Sequence, residues 1–383
     1  MQGIRSESVM IAIIAIVLII INIIFPKTKL TYYPLLVFMW LIMAFTYHIA
    51  DESVYLNRYN SPYLWNGQSE LLFSLSVAIF RKVGFDYVQY KAIMSGGILL
   101  LISLTIRKYA KYPNIVLVLY FLCPFALNVA QLRNALATAV FIFGSRYLFE
   151  EDETDVKIKR LQLTANDLRY IAAIIIATMF HTAAFIWIVL LIAKKFSLKI
   201  NVIIAVVANV LLIFVLTPQN IIRFIPKVGA VSRMTSYLTP EYANSEWRHY
   251  SQIIWVLFVG VITISFSYFR LKKTSKESKE YNRLQYLLKS NIIILFIIGI
   301  MLMYTQEVYR LQEGMSVINY LLITNCINEK SFSFRKISKK NIKVLSTSFI
   351  YSLGMMYFEI IHYLIQLILR PILNNNCFFD LFK

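Results

Sequence analysis

Charge is scarce in this chain of 383 residues: 15% are Asp, Glu, Lys or Arg, where soluble domains carry about a quarter. With 58% hydrophobic residues and a mean hydropathy of +0.63, that scarcity excludes a soluble domain of useful size. Cysteine is scarce too. Cys123, Cys326 and Cys377 stand far apart, without the spacing of a metal or dithiol redox site. His and Asp never pair at metal-ligand spacing, so metal-independent chemistry and no cofactor are expected. Acidic residues are outnumbered, 20 against 39 basic ones. The excess does not read as nucleic-acid binding, because no compact basic fold carries it. The first apolar run, Val9 to Phe25, lacks a small-residue cleavage site and is expected to be a retained helix, not a removed signal.

What the chain has in abundance is apolar runs of about 17 to 25 residues, the length a helix needs to cross a bilayer. The expectation is an all-α, polytopic membrane helix bundle of 10–12 helices forming a single integral membrane domain over residues 1–383. Helices are predicted near 9–26, 34–50, 92–106, 114–130, 134–149, 200–216, 251–269, 290–306, 312–328 and 344–369. Lys and Arg cluster in the short segments near 107–113, 150–169, 270–289 and 329–343, which the positive-inside rule makes cytoplasmic. Residues 51–70 and 217–250 are then external. Two segments resist simple crossing. Leu71 to Phe80 is too short. Tyr170 to Ala193 is long enough, but basic residues flank both ends, Arg169 on one side and Lys194 and Lys195 on the other. A pair of half-length helices with a turn near His181 keeps both clusters inside. Such a break is tolerated only beside protein or a water-filled cavity.

Within "PFALNVAQLRNALATAVFIF" the only formal charge is Arg133. A charge at a helix centre costs about 2.5–3.5 kcal/mol on insertion scales. Residues 114–149 are too long for one helix and fit a hairpin, so Arg133 is expected at its outer turn. The same topology places Asp51, Glu70, His181, Glu307, Arg310 and Glu313 near the outer face. Each has an ordinary explanation alone: interface snorkelling for Arg133 and Arg310, a helix-break partner for His181, a helix-end carboxylate for Asp51, and a helix-dipole partner for Glu70. Gathered on one face they suggest a site. Arginine forks match phosphate oxygens, and a carboxylate can take a proton from a hydroxyl nucleophile. The external segments are dense in aromatics, including Tyr55, Tyr59, Trp65, Tyr237 and Trp247. Aromatic faces suit sugar rings and also mark membrane interfaces. Together the parts suggest an anionic, lipid-linked carrier acted on at the outer leaflet.

These residues fall in an order that resembles the EpsG/Wzy family of polysaccharide polymerases, bacterial membrane proteins of capsule, exopolysaccharide and O-antigen assembly. The marks are Asp51 with Tyr55 after an early helix, Glu70 opening the next apolar segment, "LRNALATA" from Leu132, "ATMFHTAA" from Ala177, and the late Arg310. Three departures are mild: Ala50 stands where many relatives have Gly, Asn134 where many have Gln, and Thr182 where small residues often follow the His.

The resemblance implies a GT-C-like membrane glycosyltransferase architecture in the bacterial cytoplasmic (inner) membrane. It implies that undecaprenyl-diphosphate-linked oligosaccharide repeat units are joined at the outer face. Arg133 and Arg310 would then hold the leaving diphosphate, with His181 assisting. Asp51 would be the base that activates the acceptor hydroxyl, with Glu70 as second choice. Tyr55, Asn134, Arg233, Tyr237 and Glu307 are the candidate substrate-binding residues. Expected partners are the lipid-linked oligosaccharide, membrane lipid, a chain-length regulator and a flippase. Two other readings stay open: another membrane glycan transferase (a ligase or acyltransferase), and a lipid-linked oligosaccharide flippase. A transporter predicts internal repeats, and the two halves show no convincing repeat.

Overall fold

The computed structural model describes residues 6–62, 70–149, 163–216, 246–303, 308–328, 332–333, 336–359, 365 and 367–379. The chain is an all-α polytopic membrane protein. Among the described residues the only strands are a two-residue antiparallel pair, β1 (Phe332–Ser333) and β2 (Lys336–Ile337). Four helical stretches there are long and apolar enough to cross a membrane: Tyr87–Tyr109, Leu198–Val215, Tyr250–Leu271 and Lys279–Met303. Shorter apolar helices accompany them. The chain divides into two compact units, Met1–Trp187 with Ser316–Lys383, and Ile188–Met315.

The first unit holds α1 (Ser6–Ile24), α2 (Lys29–Phe45), α3 (Glu52–Asn60), α4 (Leu71–Val83), α5 (Tyr87–Tyr109), α6 (Pro113–Leu122), α7 (Phe125–Ala130), α8 (Leu132–Phe149) and α9 (Ala165–Phe180). Contacts along α5 fix the direction of its neighbours. Near its C-terminal end Ser103 accepts from the Tyr32 hydroxyl, 3.0 Å, and near its N-terminal end the Ala92 carbonyl accepts from Trp40, 2.9 Å. So α2 runs antiparallel to α5. The Tyr109 and Phe149 rings meet at 5.3 Å, so α5 and α8 end together and run parallel. Helix α9 returns antiparallel along α8. A Cβ on Gly144 would lie 2.4 Å from the Ala173 Cβ, and only a residue without a side chain permits that approach. Small residues at helix contacts are how apolar helices pack closely in a membrane.

Local chemistry starts and stops these helices. Asp86 caps α5 by a reciprocal box with Gln89, and Thr164 does the same for α9 with Asp167. Gly84, at φ 93°, takes the left-handed turn that ends α4 three residues before α5 begins. Buried amides satisfy backbone groups that water cannot reach. Asn114 donates to the carbonyls of Phe25 and Thr28, and Asn325 joins the Tyr109 carbonyl to the Lys111 N–H. At one end of this unit lie Arg107, Lys108 and Lys111. At the other lie the C-terminal end of α2, the start of α8 and the end of α9.

Past α9 the chain doubles back. His181 is extended (φ −153°, ψ 119°), a 3-10 segment runs from Thr182 to Val189, and the Tyr170 hydroxyl donates to the Trp187 carbonyl at 2.7 Å. This is the break expected near His181. The unit also holds α16 (Ser316–Thr324), α17 (Lys339–Glu359) and α18 (Arg370–Asn374).

The second unit holds α10 (Leu190–Lys195), α11 (Leu198–Val210), which continues as a π-helical turn to Val215, α12 (Glu246–Leu271), α13 (Lys279–Ile293), α14 (Ile297–Met303) and α15 (Tyr309–Gly314). Asn209 ties α11 to the α13–α14 junction: its amide donates to the Leu295 carbonyl, 3.1 Å, and accepts from the Gly299 N–H, 2.6 Å.

Several expected boundaries are corrected. The helix expected over 34–50 spans Lys29–Phe45. Beyond it Thr46 bridges to Asn376, and His48 and Asp51 take positive φ, which no helix tolerates. The helix expected over 114–130 divides at Cys123 and Pro124, because Pro lacks the N–H a continuous helix needs. The segment 270–289, expected to be a loop, contains most of α13. Ser278 caps it by accepting from the Tyr281 N–H, and the Arg270–Glu280 ion pair, 2.9 Å, closes the turn before it.

Candidate active site

Three expected residues meet in the first unit, brought by three different elements. Glu70 immediately precedes α4, Arg133 is the second residue of α8, and His181 ends α9 at the point where the chain turns. Glu70 is the hub. Arg133 Nη1 donates to Glu70 Oε2 at 2.5 Å, and His181 Nδ1 lies 2.7 Å from Glu70 Oε1. Glu70 is 5% exposed, while the Arg133 and His181 side chains keep about a fifth of their surface open. The carboxylate is thus buried beneath two basic groups that remain reachable. The Glu70 side chain makes no cap hydrogen bond to α4; its carboxylate is taken by Arg133 and His181. Pairing with Glu70 sets aside simple snorkelling for Arg133.

Tyr55 joins them from α3. Its ring lies under the Arg133 guanidinium, 5.5 Å from the centroid, and is 6.1 Å from the Phe73 ring. A cation over an aromatic face is attracted by the ring quadrupole, so Arg133 is oriented by a carboxylate and by a ring. Burial pushes the Tyr55 hydroxyl up and nearby Arg133 opposes this. Burial also raises the Glu70 carboxyl, but the His181 hydrogen bond and the Arg133 charge outweigh it and hold it below its ordinary value of 4.5. With the folded value depressed, the stabilisation is present above 4.5 and is lost as pH falls through the lower folded value. The geometry of the Glu70 carboxylate suits orienting Arg133 and His181.

Asp51 stands at the N-terminus of α3 with φ 63° and ψ −11°, and its side chain is exposed and caps nothing. Its carbonyl accepts from the Tyr55 N–H, 3.1 Å, which puts it one turn from the ring under Arg133. A non-glycine residue in the left-handed region stores strain, and such strain gathers at functional sites. Asn134 follows Arg133, and its amide contacts the Gln131 side chain at 3.3 Å. Arg310 lies half-buried on α15 in the second unit, next to Tyr309, whose ring meets Trp255 at 6.0 Å. Arg233, Tyr237 and Glu307 lie outside the described residues.

One feature was missed in the sequence. Lys91, buried on α5, donates to Glu52 Oε1 at 3.0 Å and to the Thr46 carbonyl. It staples α3 and the turn that carries Asp51 to a membrane-spanning helix. The signal was there: a lone Lys in the apolar run "YKAIMSGGILLL" needs a partner. Among the described residues, His, Cys, Asp and Glu form no group of three or more that converges on a metal position.

Arg133 offers a fork for an anion, and the amide ends of α4 and α8 add partial positive charge beside it. His181 has Nδ1 taken by Glu70, leaving Nε2 for a second contact. This half-open basic surface fits a phosphate-bearing substrate. No curated protein and no solved structure matches the chain. A family model does, over residues 29–370, a range that includes all five expected catalytic positions. The chain belongs to the EpsG family of Wzy-like polysaccharide polymerases.

Proposed function

We propose that this membrane protein joins undecaprenyl-diphosphate-linked oligosaccharide repeat units at the outer face of the cytoplasmic membrane. The observation that carries the reading is the buried Glu70 carboxylate shared by Arg133 and His181, with Tyr55 under the guanidinium. This cluster sits at the end of α8 opposite Phe149 and the basic end of α5. The positive-inside rule favours a cytoplasmic position for that basic end and so supports an outer position for the cluster.

In the proposed reaction an acceptor hydroxyl attacks the anomeric carbon of the donor sugar. The bond from that carbon to the diphosphate oxygen breaks, and the electron pair leaves with undecaprenyl diphosphate. Asp51 takes the hydroxyl proton. Arg133 and Arg310 meet the charge growing on the diphosphate, where a preorganised donor has most effect. His181 contacts the same group through Nε2. Glu70 is a positioning residue: it fixes the rotamer of Arg133 and the ring orientation of His181. Tyr55 and Asn134 flank the bound diphosphate, and Arg233, Tyr237 and Glu307 contact the glycan. The guanidinium groups supply the charge that a divalent cation would otherwise bring. A chain-length regulator and a flippase supply control and substrate.

The test is a deletion strain carrying Arg133→Ala or Arg133→Lys. A lysine keeps the charge but lacks the planar fork, so both variants should accumulate single-repeat lipid-linked glycan outside, with no long chains, at normal membrane abundance. Full-length polymer from either would remove Arg133 from the site. Loss of precursor from the outer face would favour a flippase.

A further inference from the structure

Helix α3 presents two faces. Tyr55 lies on the face turned to Arg133. The other face borders a cavity of 1060 Å³, whose wall includes Tyr47, His48, Glu52, Tyr59, Arg81 and Tyr87. The cavity lies wholly within the first unit, between α3 and the turn joining α4 to α5. Its volume is just above the range of about 300–1,000 Å³ for small-molecule sites, room for more than one pyranose ring.

The wall is built, not merely open. The Tyr59 hydroxyl donates to the Phe85 carbonyl at 2.8 Å, and its ring meets those of Tyr87 and Tyr90 at 5.8 and 5.1 Å. Glu52 is held by Lys91 at 3.0 Å. The Tyr47 and His48 rings meet edge to face at 5.0 Å, and His48 keeps a left-handed backbone, φ 53°. Flat aromatic faces stand beside a carboxylate, a guanidinium and an imidazole. Pyranose rings ask for that mixture: C–H faces that rest on aromatics, and hydroxyls that both donate and accept. A lipid tail would leave the polar groups without partners. A phosphate would meet the carboxylates of Glu52 and Asp86, both in the wall.

The wall also brackets the proposed base. Ile49 and Glu52 both line the cavity, and Asp51 lies between them in the chain. A sugar seated there lies next to the turn that carries Asp51, while Tyr55 meets Arg133 from α3. We infer that this cavity seats the acceptor glycan, one or two pyranose rings of the incoming repeat unit. The inference rests on the polymerase reading for the word acceptor; the carbohydrate site itself stands on the cavity.

The test uses purified full-length protein with Cys377→Ser, which removes the exposed native thiol, and Ser53→Cys, at an exposed position on the cavity wall. Maleimide labelling is timed with three probes: oligosaccharide released by mild acid from the producing cells' lipid-linked pool, inorganic pyrophosphate, and vesicles containing undecaprenyl phosphate. The oligosaccharide should slow labelling by about fivefold or more once the site is mostly filled, and the other two should leave it unchanged. Adding His48→Gly, which keeps the positive φ without the ring, should abolish the protection with an unaltered size-exclusion profile. No protection by oligosaccharide, equal protection by the lipid vesicles, or full protection despite His48→Gly would overturn the inference. If Arg133→Ala protein still polymerises while oligosaccharide protects Ser53→Cys, the polymerase assignment of Arg133 falls and the sugar site stands. If Arg133 is essential and oligosaccharide gives no protection, the sugar site alone falls.

Discussion

Replacing Glu70 by Gln changes almost no volume and removes one charge. In the native site both carboxylate oxygens accept, one from Arg133 at 2.5 Å and one from His181 at 2.7 Å. A carboxamide offers only one accepting oxygen. If that oxygen stays with Arg133, the new NH₂ faces His181 Nδ1, and the imidazole must move its proton to Nε2. If the amide flips, the NH₂ faces the guanidinium. Either way one charge-assisted hydrogen bond is lost and the other is weakened. Hydrogen bonds to charged groups contribute about 1.5–3 kcal/mol each, so the site loses about 3 kcal/mol of organisation. At about 1.4 kcal/mol per factor of ten, transfer should fall about 100-fold if this orientation is fully used in the transition state. The assay is polymer length on a gel from a deletion strain carrying the variant, with membrane abundance measured by immunoblot. The expected result is single-repeat or very short glycan at wild-type protein level. Wild-type chain length at that level would refute the claim that Glu70 organises Arg133 and His181.

Arg310→Ala should also abolish long chains while leaving abundance unchanged; normal polymer would remove Arg310 from the diphosphate. Gly144→Val should disturb the α8–α9 contact, because even a Cβ there would meet Ala173 at 2.4 Å. Overpacking costs about 1–3 kcal/mol, so the variant should unfold at lower temperature in detergent than the parent protein. An unchanged melting profile would mean the two helices are not held at that distance.

The helical class and the site hub were legible for different reasons. Apolar runs of bilayer length declare helices directly, and isolated polar residues within them need partners; Arg133 and His181 were visible on that ground. The break at His181 was readable from charge bookkeeping, because Arg169 and Lys194 could not both stay inside with a single crossing. Their meeting at Glu70 is tertiary and had no signal in spacing alone. Helix α13 was hidden because its first turns are polar: Lys279, Glu280 and Arg283 give the composition of a loop. The cap at Ser278 and the Arg270–Glu280 pair decide otherwise. The Lys91–Glu52 pair was missed because its members lie 39 residues apart, so spacing does not reveal the partner that the lone Lys91 needs.

Polymerisation outside the cell requires the Glu70 cluster to face outward, and cysteine labelling reads its sidedness. Thr182, exposed and next to His181, and Lys111, exposed at the basic end, are each replaced by Cys in a Cys377→Ser background. Intact cells are then treated with a membrane-impermeant maleimide. Thr182→Cys should label in intact cells, and Lys111→Cys only after the membrane is permeabilised. Labelling of Lys111→Cys in intact cells, with Thr182→Cys protected until permeabilisation, would place the cluster in the cytoplasm and contradict polymerisation outside the cell.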